Sequence, residues 1–477
     1  MAAREMLSSP QAGFVPVAFV DDDPAKLGTR IEGLPVLGDR SAIPRILRET
    51  GADEILIALP SLHGAVIREV IAVCRSERVS FRVVPGIWEI IRGDVHLEQI
   101  RPIEPEDLLG RETVEADREL LAAAYRGRRV LVTGAGGSIG RELARQVIRL
   151  APAALVLVGR GENSLFETDL VLRDEPKTAS ARWELALVDV QNRVAVDRLF
   201  RRTRPEVVLH AAAHKHVSFL EAHPEEAVLN NVIATRDLVE ASAAVGARRF
   251  VMLSTDKAVY PGSVLGASKR LAERLLEERT AHLENPRLMA VRFGNVLGSR
   301  GSVVPLFRHQ IRRGGPLTVS HPEAARYFMT VKEAVNLVLE AGAIGVGGEI
   351  FILDMGEQIR ILDLARDLII LSGLRPEVDV RIEITGLKPG EKVREELVHA
   401  FEELRPTRSA RIRTAHRTGG EGPRVEPALD RLESLARTAD RPALLLELTA
   451  LLPEARLAGS PVGPGREAKA GAGGEKV

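Results

Sequence analysis

Residues 254–270, "STDKAVYPGSVLGASKR", set a hydroxyl, a carboxyl and an amine side by side at Thr255, Asp256 and Lys257, and place a second amine at Lys269. Three such groups in one turn can divide the proton traffic of an elimination. Once an alcohol carbon is oxidised to a ketone, the adjacent C–H becomes acidic. A base then removes that proton while an acid protonates a hydroxyl leaving from the next carbon. Lys257 is the expected base, its pKa lowered by burial and by the neighbouring Lys269; Asp256 is the expected acid, and Thr255 polarises the carbonyl oxygen. Sites that move a hydride ordinarily carry a tyrosine four residues before the lysine, yet Leu265 stands four before Lys269. Tyr260 is nine before it, the wrong spacing for a substitute.

The elements around this stretch predict how it is positioned. "RFVMLS" reads as a buried strand ending at Ser254, so the reactive turn falls at the carboxyl edge of a sheet, where ligands of open α/β folds bind. "RVLVTG", "ALVLVG", "ELALVDV", "EVVLHAA" and "LMAVRFGNVLG" supply further strands between helical stretches, and such alternation predicts a doubly wound parallel sheet. "VLVTGAGGSIGREL" puts Gly134, Gly137 and Gly140 between a strand and a helix, with Ser138 and Ile139 opening the helix: a turn suited to a dinucleotide pyrophosphate. After the next strand comes Arg160 rather than an acidic residue, which favours NADP over NAD, with Glu162 as an alternative contact to the ribose. Asp189, followed by Val190, ends the third strand and is read either as an acceptor for the adenine amino group or as a helix cap. Ala211 and Ala212, after the fourth strand, are expected to line the cofactor. "HKH" at 214–216 lacks the helical spacing or carboxylate partner of a metal site, and no metal is expected.

Composition narrows the classes. Lys+Arg and Asp+Glu both number 66, so no global field selects nucleic acid or an anionic membrane, and an anionic ligand needs a local site. The single cysteine, Cys74, excludes an internal disulfide and fits a reducing, cytoplasmic setting. No apolar run approaches the roughly 18 residues of a membrane span. Residues 1–95 read as a Rossmann-like domain that begins in mid-pattern, its first strand and glycine turn missing. A linker follows at 96–126, then the principal domain at 127–410 with a small substrate lobe. Residues 411–477 read as a C-terminal helix and a disordered Gly/Ala/Pro-rich tail.

The chain resembles the bacterial polysaccharide-biosynthesis UDP-N-acetylglucosamine 4,6-dehydratases, extended short-chain dehydrogenase/reductases. The motifs that carry this are "TGAGGSIGREL", "HAAAHKHV", "NNVIATRDLVEA", "STDKAV", "GASKRLAE", "RFGNVLGSRGSVVPLFRHQI", "HPEAARYFMTVKEAVNLVLEA" and "GLKPGEKVREEL". The resemblance implies an NAD(P)-dependent lyase that oxidises a UDP-sugar at C4, eliminates water across C5 and C6 and returns the hydride to C6. It places Thr255, Asp256 and Lys257 in catalysis and Lys269 on the nicotinamide ribose. Lys215 is then turned toward the sugar, Asn295 toward the diphosphate or sugar, and Arg326 becomes a diphosphate clamp. Lys388 is assigned to phosphate and Glu391 to the ribose hydroxyls. Relatives that invert C5 keep the tyrosine, so Leu265 implies C5 retention. The resemblance further implies a homo-oligomer built on helices from 217–240 and 265–282, and a location at the inner face of a membrane if the natural chain is longer. The alternatives are a C5-inverting dehydratase, an epimerase, or a nucleotide-sugar sensor without catalysis.

Overall fold

The computed structural model describes residues 2–8, 13–58, 64–77, 79–83, 117–175, 182–418 and 422–457. Most of the expected linker and the tail from 458 lie outside the described residues. The chain divides into two compact units: 1–115 with 306–317 and 363–382, and 116–305 with 318–362 and 383–477.

In the first unit Phe19–Val20 pairs in parallel with Leu34–Gly38, which forms a hairpin with Arg30–Ile31, and Glu54–Ile57 pairs in parallel with Ser80–Val83. Helices Ile43–Thr50 and Gly64–Ser76 contribute Ile43, Leu47, Val70, Ile71 and Cys74 to one apolar cluster. Burial pushes the Cys74 thiol up to about 11, the state of an inert packing residue.

The second unit is built on a nine-stranded sheet. Numbered along the chain within that sheet, its strands are β1 (Arg129–Thr133), β2 (Ala154–Gly159), β3 (Trp183–Leu187), β4 (Val207–His210), β5 (Arg249–Leu253), β6 (Arg287–Arg292), β7 (Glu349–Leu353), β8 (Glu402–Pro406) and β9 (Ile412–Arg417). Their spatial order is 8-9-7-6-5-4-1-2-3. β1 to β7 pair in parallel, and β9 joins β7 antiparallel as part of a hairpin with β8. The order reverses between β1 and β4, which opens a crevice at their carboxyl ends. β9 lies beyond the domain end expected at residue 410 and belongs to the sheet.

Alternation along β1 shows why the sheet must be covered on both faces. Val130 and Val132 pack with Leu143, Val147 and Leu337 from helices Ser138–Ile148 and Val331–Ile344, while Leu131 packs on the opposite face with Val196, Leu199 and Leu238. A third cluster joins helix Val264–Thr280, through Leu265, Leu271 and Leu275, to Leu220, Val228 and Val232 and to Leu429, Leu432, Leu444, Leu448 and Leu451. The last five come from two helices, Leu429–Arg437 and Arg441–Leu451, where the sequence predicted one. They share an apolar cluster with the helices that were expected to meet a second copy. Arg236 pairs with Glu433 at 2.8 Å, and the Glu278 carboxylate accepts the backbone N–H groups of Val425 and Glu426, which fastens this cover in place.

Candidate active site

The glycine turn after β1 is shaped by close approach. Gly134 has φ 67°, and a Cβ there would lie 2.7 Å from the backbone of Ala211 and Ala212; a Cβ at Gly140 would lie 2.1 Å from the Gly134 carbonyl oxygen. Only glycine lets the turn, the helix and the end of β4 pack this closely. Gly137 caps helix Ser138–Ile148 with no side-chain acceptor, so the helix start is open to an anionic group. The Ser138 hydroxyl accepts the N–H of Arg300 at 3.1 Å. Ile139 packs on the apolar core and Val190 is buried against the opposite face.

Arg160 and Asp189, assigned separately to the two ends of the adenosine, meet at 3.8 Å. Asp189 lies two residues past the end of β3 and accepts from Gln191 N at 3.0 Å, while the next helix is capped by Asn192. The helix-cap alternative for Asp189 is thereby excluded. Ala211 and Ala212 begin a loop held by Asn231, whose amide oxygen accepts His214 N and whose amide nitrogen donates to the His214 carbonyl and to Ser268. Asn231 reaches inward from a π-helical turn, Leu229–Ile233, where one extra residue brings both Asn230 and Asn231 to the buried side. Two adjacent asparagines in an apolar helical stretch were the sequence signal for this lock.

At the end of β5 the chain makes a 3-10 turn, Asp256–Ala258, capped by Thr255. Asp256 is fully buried, and its Oδ1 accepts from Thr255 Oγ1 at 2.9 Å and Lys257 Nζ at 2.9 Å. Its Oδ2 has no hydrogen-bond partner among the described residues and lies against Gly294, where a Cβ would sit 3.2 Å away. At Gly294 the chain leaves β6 and turns into the short strand Asn295–Val296, which pairs with Ala325–Met329. That turn brings the Asn295 amide oxygen to 3.1 Å from Lys257 Nζ. Burial works to lower the Lys257 pKa, but Asp256 and Glu395 outweigh it and the net shift is upward. The expected lowering is therefore reversed, because the groups facing Lys257 are carboxylates.

Lys269 lies on helix Val264–Thr280 and donates to the Leu253 carbonyl at 2.8 Å. Burial lowers it to about 8 against the pull of Glu273 one turn on. Beside it, His210 is held between the Thr133 hydroxyl at 2.7 Å and the Thr235 hydroxyl at 3.1 Å. Burial and Lys269 depress its pKa to about 3, so it stays neutral. Leu265 is buried in the helical cluster. The Tyr260 hydroxyl accepts the Ala400 N–H at 2.6 Å and so is engaged elsewhere.

The substrate-side candidates fall in two groups. Arg326, Glu391 and Asn295 gather with Lys257 around Glu395. The terminal nitrogens of Arg326 donate to the carbonyls of Ala325, Val393 and Lys392 and to Glu391 Oε1, so in this state the guanidinium pins the 391–393 loop. Lys215 stands apart from that group, donating to Ser299 Oγ at 3.3 Å, with its pKa lowered by burial. Lys388 is exposed, and its backbone N–H donates to Glu391. Glu395 itself escaped the sequence reading, since "KVREEL" looks like a solvated charge run; only the folded lobe turns it inward. Among the described residues no group of three His, Cys, Asp or Glu is placed to hold a metal, and no helix is long and apolar enough to cross a membrane.

Comparison with known proteins accords with this geometry. A family profile described as "Polysaccharide biosynthesis protein" matches residues 130–417, and one described as "CoA-binding domain" matches residues 1–85. The chain is 44% identical over 402 residues to the capsular polysaccharide biosynthesis protein CapD of Staphylococcus aureus, covering 84% of this chain and 66% of that protein. It is 44% identical over 403 residues to the probable polysaccharide biosynthesis protein EpsC of Bacillus subtilis, covering 84% and 67%. The chain thus spans about two thirds of the length of these relatives. The X-ray structure of Pen from Bacillus thuringiensis matches with a TM-score of 0.53 at 35% identity, over 57% of this chain and 84% of that one. With a Rossmann-like sheet, a glycine turn and the Thr255–Asp256–Lys257 cluster inside the matched span, the chain belongs to the polysaccharide biosynthesis protein family.

Proposed function

We propose that the second unit is a nucleotide-sugar 4,6-dehydratase acting on UDP-N-acetylglucosamine with retention at C5. The observation that carries this reading is the Thr255–Asp256–Lys257 cluster: two proton-carrying side chains converge on one buried carboxylate oxygen, and the other oxygen has no partner. A nicotinamide dinucleotide bound there would supply reversible hydride exchange with the sugar. The glycine turn, the open start of helix Ser138–Ile148 and Lys269 are suited to hold that dinucleotide.

The protons balance through the chain's own groups. The active form has Lys257 as the free amine and Asp256 as the carboxylate. The C4 hydroxyl proton passes through Thr255 Oγ1 to Asp256 Oδ1 along the existing 2.9 Å hydrogen bond. Lys257 takes the C5 proton as the C5–C6 double bond forms, and Asp256 gives its proton to the departing C6 hydroxyl, which leaves as water. The Lys257 ammonium then returns a proton to C5. Lys257 works from a single position, so the proton goes back to the face it left, which accounts for retention.

The test is mass spectrometry of UDP-N-acetylglucosamine incubated with the cofactor-loaded protein in deuterated water. Loss of one water with one deuterium at C5 is expected, and the C5 configuration separates retention from inversion. An unchanged mass with cofactor bound would overturn the reading. On the cofactor phosphate, Arg160 favours NADP, but Asp189 at 3.8 Å both occupies the guanidinium and brings a carboxylate near, which narrows the preference.

A further inference from the structure

We propose that Glu395 is the positioning residue that sets the aim and the base strength of Lys257, an inference that rests on the dehydratase reading above. Glu395 is 4% exposed, and its Oε1 lies 3.7 Å from Lys257 Nζ and 3.9 Å from Arg326 Nε. Its Oε2 has no hydrogen-bond partner among the described residues and lies 3.9 Å from Lys392 Nζ. The backbone is fixed as well, since Gln358 donates to the Glu395 carbonyl at 2.7 Å. A buried carboxylate held this firmly, with an oxygen to spare, is poorly explained as a surface charge.

The groups facing Lys257 are Asp256 and Thr255 from its own turn, Asn295 from the short strand, Arg326 from the strand beside it, and Glu395 and Lys392 from the lobe loop. Asp256 is committed to receiving and giving the proton that leaves with water. That leaves Glu395 as the anion whose charge stays constant through turnover. A constant negative charge beside an amine stabilises the ammonium that forms when the C5 proton is taken, so the amine is the stronger base for a weakly acidic C–H. The cost is that Lys257 is free only at higher pH. Glu395 also lies four residues after Glu391, on the loop pinned by Arg326, so the side that holds the nucleotide and the side that moves protons share one carboxylate.

The test compares wild type, Glu395→Gln and Glu395→Asp, each checked for bound cofactor, by the pH dependence of kcat and by deuterium exchange at C5. In Glu395→Gln the acid limb should move down by about 1 to 3 pH units, the range expected for losing an opposite charge at this distance. The high-pH plateau should fall, and Glu395→Asp should return the limb toward the wild-type position. Exchange in the wild type with an unmoved limb in Glu395→Gln overturns the assignment alone. If the wild type exchanges no C5 proton, the dehydratase reading fails. A second readout then decides the Glu395–Lys257 coupling without turnover: the pH midpoint for acetylation of Lys257 by acetic anhydride, read by peptide mass spectrometry. A lower midpoint in Glu395→Gln supports the coupling, and an unchanged midpoint overturns it.

Discussion

Two buried ionic clusters lie within the same unit, and they are finished to different degrees. Behind Lys269, Glu273 accepts from Ser254 at 2.6 Å, Arg292 at 2.8 and 3.1 Å and Arg270 at 3.1 Å, while Arg292 also donates to Glu402 and to the Leu397 carbonyl. Every donor of that guanidinium and both oxygens of that carboxylate are engaged. Around Lys257 the charges are comparable in kind, yet Asp256 Oδ2 and Glu395 Oε2 are buried without hydrogen-bond partners among the described residues. A saturated cluster specifies and rigidifies a core, whereas a cluster with oxygens to spare is suited to a ligand. Burial of charge alone does not separate the two clusters; completeness of pairing does.

Five experiments press on that contrast. Replacing Lys257 with Ala should lower turnover by roughly 10²–10⁴-fold because it removes the base, a loss that should outweigh the destabilisation from leaving buried Asp256 without its cation. Full turnover in the variant would make the unsaturated cluster merely structural. Arg292→Met should do the reverse, costing about 3–5 kcal/mol in urea unfolding by leaving Glu273 buried and unpaired. Within the same cluster, burial alone would raise the Glu273 pKa, but Arg292, Arg270 and Ser254 hold it at about 2. Its stabilisation is thus present above the ordinary carboxylate range and should be lost as pH falls toward 2, so Glu273→Gln should flatten the acid side of a stability profile.

Lys269 gives a smaller effect. Its folded pKa is lowered to about 8, so the buried cation disfavours folding below that pH, and the penalty lifts as pH rises from about 8 toward the ordinary lysine range. Cofactor affinity should fall several-fold across the same midpoint as the ammonium is lost, and the dependence should vanish in Lys269→Met. The smallest change is expected from Arg160→Ala, which should weaken NADP by about tenfold and NAD by less, measured as dissociation constants. Equal weakening would mean that the pair with Asp189, rather than a phosphate, is what Arg160 serves.

The sheet was legible because parallel strands buried on both faces read as continuous apolar runs, and each of the six strand motifs quoted for the second unit became a strand of it. The break at Gly294 was not, since "RFGNVLG" reads as one strand and only the approach of Asp256 and Tyr327 explains why it bends. Thr255, Asp256 and Lys257 were found as neighbours in sequence. Their electrostatics were not, because two carboxylates raise Lys257, and only Asp256 is its neighbour in sequence; Glu395 stands more than a hundred residues further along the chain. Arg326 was read as a diphosphate clamp, but here it donates to three backbone carbonyls, which leave no trace in side-chain identity, as well as to Glu391.

The paired helices Leu429–Arg437 and Arg441–Leu451 lie outside the span matched by the polysaccharide biosynthesis profile, and they complete the apolar cluster that contains the helix carrying Lys269. They also leave the ribosome after everything they cover. A nascent chain that has emerged only to β9 holds the whole sheet and both ionic clusters, yet the apolar cluster that contains Leu265, Leu271 and Leu275 lacks its last members until some forty further residues are made. During that interval the growing polypeptide is at its most adhesive, and on crowded polysomes neighbouring copies offer one another the same uncovered surface.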